Sequence, residues 1–371
     1  MSKAAELANL IGNINMGGGG VNRNVIINGA MQVAQRSTSE TNPGGGYNVI
    51  DRFRISQNGG GLGNFTEAQV ADAPSDSGLT NSLKFTKSGS TSIASGTTAF
   101  FQQNIEGQNL QHLKYGTSSA LPVTASFYVK SSLTGTFGIN LEQNGNSRHN
   151  VQTYTISSAN TWELKSVTFV GDTASALAND NTNELSLRFV MGAGSDYQTS
   201  STNTWASGDK HTTSSQVQLV ETDGATFFLT GVQLEVGQNA TEFEHEPFER
   251  TLQKCQRYLY SHNTATDNNG STFSKMMLGA NVSSTLCRAT INFPCEMRVK
   301  PALSTGTVSD MSLNHGSNSN TALSAISLNA NSNKIAATLE CSVSSGLTAG
   351  NAALLGANNN DTAFILLDSE L

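Results

Sequence analysis

Charge is scarce in this chain. Asp, Glu, Lys and Arg supply only 13% of its 371 residues, about half the share in an ordinary globular protein. Lys and Arg never form a run, and the net charge is −7. A phosphate backbone needs clustered cations, so nucleic acid is not expected as a partner. Long apolar runs are also missing: none approaches the ~20 residues a membrane helix requires, so no membrane insertion is expected. The opening Met1-Ser2-Lys3-Ala4-Ala5-Glu6 is acidic and amphipathic and lacks the apolar centre of a signal peptide. Assembly in the cytoplasm of the producing cell is the expectation. The four cysteines, Cys255, Cys287, Cys295 and Cys341, are irregularly spaced with no CxxC. That excludes a disulfide framework and the short ligand spacings of zinc, and the thiols read as free and buried. The six histidines are scattered, and none sits in a nucleophile motif such as GxSxG. Catalysis is not expected.

Ser, Thr, Asn and Gly fill the space that charge leaves, with 35 glycines. Strand-length apolar stretches recur among them: Val25-Ile26-Ile27, residues 125–129, 185–190, 227–236 and 364–367. Ala125, Phe127 and Val129 alternate with Ser126, Tyr128 and Lys130; Leu185, Leu187 and Phe189 alternate with Ser186, Arg188 and Val190. This period of two, broken by Gly/Asn/Ser/Asp turns, predicts an antiparallel β-sandwich over residues 24–247. Residues 106–113 are expected to form one helical turn. Residues 248–262 read as a helical connector leading into a strand. Residues 263–371 read as a second, smaller β domain: Ala289, Ile291 and Phe293 alternate with polar residues, Pro294 ends that strand, and residues 314–320 and 358–361 read as turns. The thin apolar content of this second domain suggests that neighbouring copies help to bury it.

Residues 2–15 form the one clear amphipathic helix, with Leu7, Leu10, Ile11 and Ile14 on one face. A helix this short is marginal alone, and the four glycines at 17–20 uncouple it from the chain that follows. Residues 1–23 are therefore expected to attach the protein to a larger particle or to bundle with symmetry mates. The glycines are not a phosphate loop, since no Lys-Ser/Thr follows and no strand precedes.

A further set of motifs runs along nearly the whole chain in order. Asn22 to Arg36 reads as an opening strand, followed by Tyr47 and Asp51-Arg52-Phe53. Then come Ile105-Glu106-Gly107-Gln108-Asn109-Leu110, Ser126-Phe127-Tyr128-Val129-Lys130-Ser131 and Ala159-Asn160-Thr161-Trp162. The strand at 231–237 precedes Ala240, Thr241, Phe243 and Glu244, then Cys255-Gln256-Arg257-Tyr258; the chain ends Asp368-Ser369-Glu370-Leu371. This series resembles tail-fibre and related virion structural proteins of tailed bacteriophages, marine ones especially, with Glu242, Phe53 and Ser369 as departures. The resemblance implies a mainly β chain: a short N-terminal helix, a jelly roll like those of carbohydrate-binding modules, then a smaller β domain. It implies a homotrimer in the virion, joined to other tail or baseplate proteins and presenting a surface to a host glycan. A purely architectural baseplate, adaptor or head-fibre role is the first alternative, and a capsule depolymerase the second.

Sugars stack on flat rings flanked by hydrogen-bonding groups. Tyr197 and Trp205, in a long polar stretch with Asp196, Asn203 and Asp209, are the candidate glycan-binding residues. The other tryptophan, Trp162, is expected to pack on the sandwich. No cofactor is expected; a structural calcium at Asp172, Asp180 and Glu184 is the alternative. Glu242, Glu244 and Glu246 read as a solvated face of the connector.

Overall fold

A computed structural model of the protein describes residues 3, 4, 7, 8, 22–263, 275–316, 319–358 and 362–371. The chain divides into two compact units, Met1–Thr251 with Leu371, and Leu252–Glu370. Lys3, Ala4, Leu7 and Ala8 are helical, and Leu7 is exposed. Leu10, Ile11 and Ile14 of the predicted attachment face, like the glycines at 17–20, lie outside the described residues.

The first unit is an antiparallel jelly-roll sandwich. Its strands are β1 (Ser39–Thr41), β2 (Arg54–Asn58), β3 (Asn64–Val70), β4 (Ser82–Ser88), β5 (Thr98–Glu106), β6 (Val123–Ser131), β7 (Gly135–Gln143), β8 (Arg148–Ile156), β9 (Glu163–Phe169), β10 (Asn183–Ala193), β11 (Trp205–Ser207) and β12 (Thr226–Val236). One six-stranded sheet runs β1-β3-β4-β12-β6-β9, the other β11-β8-β7-β10-β5-β2. The predicted alternation sends Ala125, Phe127 and Val129 from the first sheet, and Leu185, Leu187 and Phe189 from the second, into one core. Rings dominate that core: Phe127 meets Phe189 edge-on at 4.9 Å and Tyr154 at 5.0 Å, and Phe65 stacks on Phe85 at 5.1 Å. Residues 106–113 form two short 3₁₀ turns, Gly107–Asn109 and Gln111–Leu113.

The segment read as an opening strand is not one. Asn28 and Met31 adopt left-handed backbone, φ 62° and 55°, which interrupts extended pairing. The segment is held instead by separate bonds. Val25 N–H donates to Leu234 O, Val232 N–H donates to Gly29 O, and the Asn28 amide bridges Val33 and Asp51. Gly29 is required, because a Cβ there would lie 2.0 Å from Val232 O. The Asp51-Arg52-Phe53 motif is likewise structural. Asp51 accepts from Gln35, Arg52 donates to Asn104 O, and Phe53 is buried in the core. Glu244 is not simply solvated: it caps the backbone N–H groups of Asn22 and Asn24, which holds its carboxyl below the usual range against the effect of burial.

The helix Phe248–Gln256 leads into β13 (Leu259–Asn263). The second unit continues with β14 (Lys275–Asn281), β15 (Leu286–Asn292), β16 (Ala302–Thr305), β17 (Met311–His315), β18 (Ser319–Ala322), β19 (Ala325–Leu328), β20 (Ala336–Ser342), β21 (Ala352–Ala357) and β22 (Phe364–Asp368). A three-stranded sheet, β13-β22-β16, accompanies a seven-stranded one, β18-β17-β21-β14-β15-β20-β19. The two outermost strands of the larger sheet, β18 and β19, are joined by only Leu323 and Ser324. Leu323 N–H donates to Met311 O on one end strand's neighbour, and Ser324 N–H donates to Ser342 O on the other's. Two residues span at most about 7 Å, so the sheet must roll until its ends meet. Its interior is a core of this unit's own, including Met277, Cys287, Met311, Leu339, Cys341 and Leu355. Residues 314–320, read as a turn, include the paired ends of β17 and β18, with the Asn314 side-chain amide donating to Asn320 Oδ1 at 2.9 Å.

Candidate functional site

The site begins with a parity rule. On β5, β7 and β10 the residues opposite to the core-facing ones project from the outer face of the second sheet. Cross-strand register aligns them in rows. Ser186 lies opposite both Glu142 and Asn104, and Glu142 lies opposite His149; Arg188 lies opposite both Asn140 and Gln102, and Gln102 lies opposite Arg54. The next row pairs Val190 with Phe100 and Phe100 with Ser56. A band of amide, carboxyl, guanidinium and hydroxyl groups thus crosses the sheet, with an aromatic ring at one side. Its inner part is buried, whereas Arg54 and Ser56 are half-buried and Asn58 is exposed at the β2 edge.

Residues 194–212 bring further groups onto this face. Tyr197 stacks on His211 at 4.9 Å, packs with Phe100, Val190 and Ala193, and its hydroxyl accepts from the Asn58 amide at 3.0 Å. Arg188 is the hub. Its guanidinium lies over the Phe100 ring at 4.9 Å, donates to Asp209 at 3.0 Å and to Gln102 at 3.2 Å, and stands 3.5 Å from Glu142. His211 Nε2 is 2.6 Å from Asp209 and Nδ1 is 3.0 Å from the Thr98 hydroxyl. Nε2 also lies 3.0 Å from the Arg188 guanidinium, so one ring nitrogen meets both an acceptor and a donor.

Burial pushes the Glu142 carboxyl up to about 8, aided by Asp209 and opposed by Arg188. Burial acts in the same sense on Asp209, but the His211 hydrogen bond and the Arg188 charge outweigh it and hold that carboxyl at about 2. Burial, reinforced by Arg188, lowers His211 below its usual value. At neutral pH the cluster is therefore a neutral Glu142, an ionised Asp209, a cationic Arg188 and a neutral imidazole. Its net charge is zero. The buried Glu142 Oε2 and Asn140 Oδ1 lack a hydrogen-bond partner. Such an array can offer donors and acceptors to hydroxyl groups without selecting a charged ligand.

The two aromatic residues expected to share a surface do not. Tyr197 lies on the outer face, whereas Trp205 packs against the sandwich core, meets Tyr115 edge-on at 5.7 Å and donates from Nε1 to Val170 O. β11 register explains this: Trp205 is opposite Asn150, which is opposite the core residue Leu141. Of the polar residues near them, Asp209 reaches the face. Asn203 bonds Val151 O and Val170 N instead, and Asp196 is exposed. Glu142, Arg188, Gln102 and His211 escaped the sequence reading; the available signal was the run of polar residues at alternate positions of β5 and β10. Trp162 packs outside the other sheet, against Phe228 and beneath Lys130, with Nε1 bonded to Asp72.

The residues considered for calcium are otherwise engaged. Asp172 is ion-paired to Arg148 at 2.6 Å, Asp180 binds Thr182, and Glu184 accepts from Ala178 N–H. Among the described residues no group of three or more His, Cys, Asp or Glu is placed to hold a metal ion.

No family model matches the chain, and no curated protein matches it. Among solved structures, the chain is similar to the enzymatically active domain of tailspike protein 4 of bacteriophage CBA120, at 13% identity and a TM-score of 0.32, over 58% of this chain and 21% of that one. It is similar to the carbohydrate-binding module TmCBM61, in complex with β-1,4-galactotriose, at 12% identity and a TM-score of 0.30, over 58% of this chain and 99% of that one. A family 11 carbohydrate-binding module from Clostridium thermocellum, in complex with a mixed-linked tetrasaccharide, is similar at 12% identity and a TM-score of 0.27, over 56% and 98% of the two chains. Likenesses this distant add no weight, and the functional reading rests on the residues of the outer face.

Proposed function

We propose that the protein is a structural component of a phage tail, a homotrimeric fibre attached through its N-terminal helix and presenting a glycan-binding surface without catalysis. The attachment and the trimer rest on the ordered sequence motifs and the amphipathic helix. Glycan binding rests on one observation: the registered band on the second sheet, from Arg54 and Asn58 through Gln102 and Arg188 to Glu142, edged by Tyr197. Planar amide, carboxyl and guanidinium groups beside a ring are the chemistry that recognises sugar hydroxyls and C–H faces. A single site of this kind binds weakly, and three copies on one fibre supply avidity.

The test is a glycan array of the whole protein beside its Tyr197→Ala and Asn58→Ala variants. Retained spots that both variants weaken several-fold, at unchanged melting temperature, support the reading. An array with no spots supports the architectural alternative. Reducing ends released from a host polysaccharide would mean a depolymerase.

A further inference from the structure

We infer that Cys287 and Cys341 are a cross-strand thiol pair that an external disulfide oxidant closes into an intrachain disulfide inside the rolled sheet of the second unit. The argument is one of register. Cys287 on β15 lies directly opposite Cys341 on β20, and directly opposed residues on antiparallel strands have Cα atoms about 4.5–5.5 Å apart. Disulfides span Cα separations of about 4.4–6.8 Å. Opposed residues share a face, and both cysteines are fully buried in the same core and free. The register thus places the pair within the span of a disulfide.

The neighbouring strand leaves the necessary freedom. In the reduced chain the Cys287 sulfur lies beside Gly279 of β14, where a Cβ would approach it to 2.6 Å. Because that position carries no side chain, no neighbour on β14 clamps the sulfur in place. Burial, and the Cys287 thiol beside it, push Cys341 up to about 12. Both thiols therefore stay protonated and slow to react until the strands part locally.

The step balances with glutathione disulfide as oxidant. One cysteine thiolate attacks glutathione disulfide, forming a mixed disulfide and releasing one glutathione thiolate. The second cysteine then attacks the protein sulfur of the mixed disulfide and releases the other. Two protein thiols are oxidised and one glutathione disulfide is reduced to two thiols, which take up the two protons the cysteines lose.

The experiment incubates the whole folded protein with glutathione disulfide for hours, then alkylates remaining thiols in denaturant. The expected product loses about 2 Da, for the two departing hydrogens, and leaves two of the four cysteines alkylatable. Peptide mapping should join Cys287 to Cys341. Closing a loop of this length is expected to raise the melting midpoint of the second unit by about 5 °C or more. Cys287→Ala and Cys341→Ala should each abolish the mass loss, whereas Cys295→Ala should not. The inference is overturned if Cys287 and Cys341 both remain alkylatable after exposure, or if the bridge maps to another pair. The wild-type map decides this even if an alanine variant fails to fold.

Discussion

Replacing Glu142 by glutamine should stabilise the first unit in alkaline solution and leave it unchanged in acid. The folded carboxyl titrates at about 8, against an ordinary value of 4.5, chiefly because burial penalises its charge. Between those two values the unfolded chain is ionised while the folded chain keeps its proton. The folded form then binds more protons, so its stability falls as pH rises, and above about 8 the loss is complete. At about 1.4 kcal/mol for each pH unit the full difference is on the order of 5 kcal/mol. Glutamine has the same shape and never ionises. Glu142→Gln should thus match wild type near pH 4 and exceed it by about 4–5 kcal/mol at pH 9; loss of the anion's attraction to Arg188 is already contained in the folded value of about 8. Glu67, raised by burial to about 7, adds a similar slope to both proteins and cancels in the comparison. The assay is urea unfolding followed by tryptophan fluorescence at several pH values. Trp162 and Trp205 both belong to the first unit, so the signal reports that unit. A difference that stays within about 0.5 kcal/mol from pH 5 to pH 9, the ordinary scatter of an innocuous substitution, would refute the desolvated site.

Phe127→Ala should cost the first unit about 3–5 kcal/mol, because the ring is fully buried between Phe189 and Tyr154 and the cavity cannot collapse; urea midpoints measure it. Trp205→Ala should melt several degrees earlier while keeping glycan binding in proportion to the folded fraction, since its ring packs on Tyr115; thermal melts beside binding isotherms check both. Deleting residues 1–21 should leave the melting of both units unchanged but abolish incorporation into particles, read by immunoblot of purified virions. Light scattering of the whole protein should give about three chain masses, unaffected by reductant.

The mainly β class, the sandwich and its inward-facing residues were legible because period-two alternation is local. Ala125, Phe127 and Val129 announce their face within five residues. The outer band was not legible. Arg188 and Gln102 look like any solvated strand positions until long-range pairing sets them 3.2 Å apart. Val25-Ile26-Ile27 misled for the opposite reason: the apolar run is genuine, but Asn28 and Met31 take left-handed backbone and the segment docks by scattered bonds. The independent core of the second unit was hidden by its small residues. Ala289, Ala337 and Ala353 carry little hydropathy, yet they suffice to fill a rolled sheet. Trp205 shows the limit for binding residues, since a tryptophan in a polar stretch signals neither exposure nor burial, and only its register opposite Asn150 decides.

The meeting of β18 and β19 across Leu323 and Ser324 bears on how copies of this chain can associate. An open sheet ends in an unsatisfied row of amide and carbonyl groups, and a second chain can extend it strand by strand. In the seven-stranded sheet the two end strands are only four residues each and are joined through Leu323 and Ser324, with residues 319–322 bonding β17 and 325–328 bonding β20, so the row left at each end is short. Edges this short offer crowded copies little backbone to pair with. Side chains such as the exposed Leu278 and Val282 offer copies a wider surface, and assembly through them is set by residue identity and can be altered one substitution at a time.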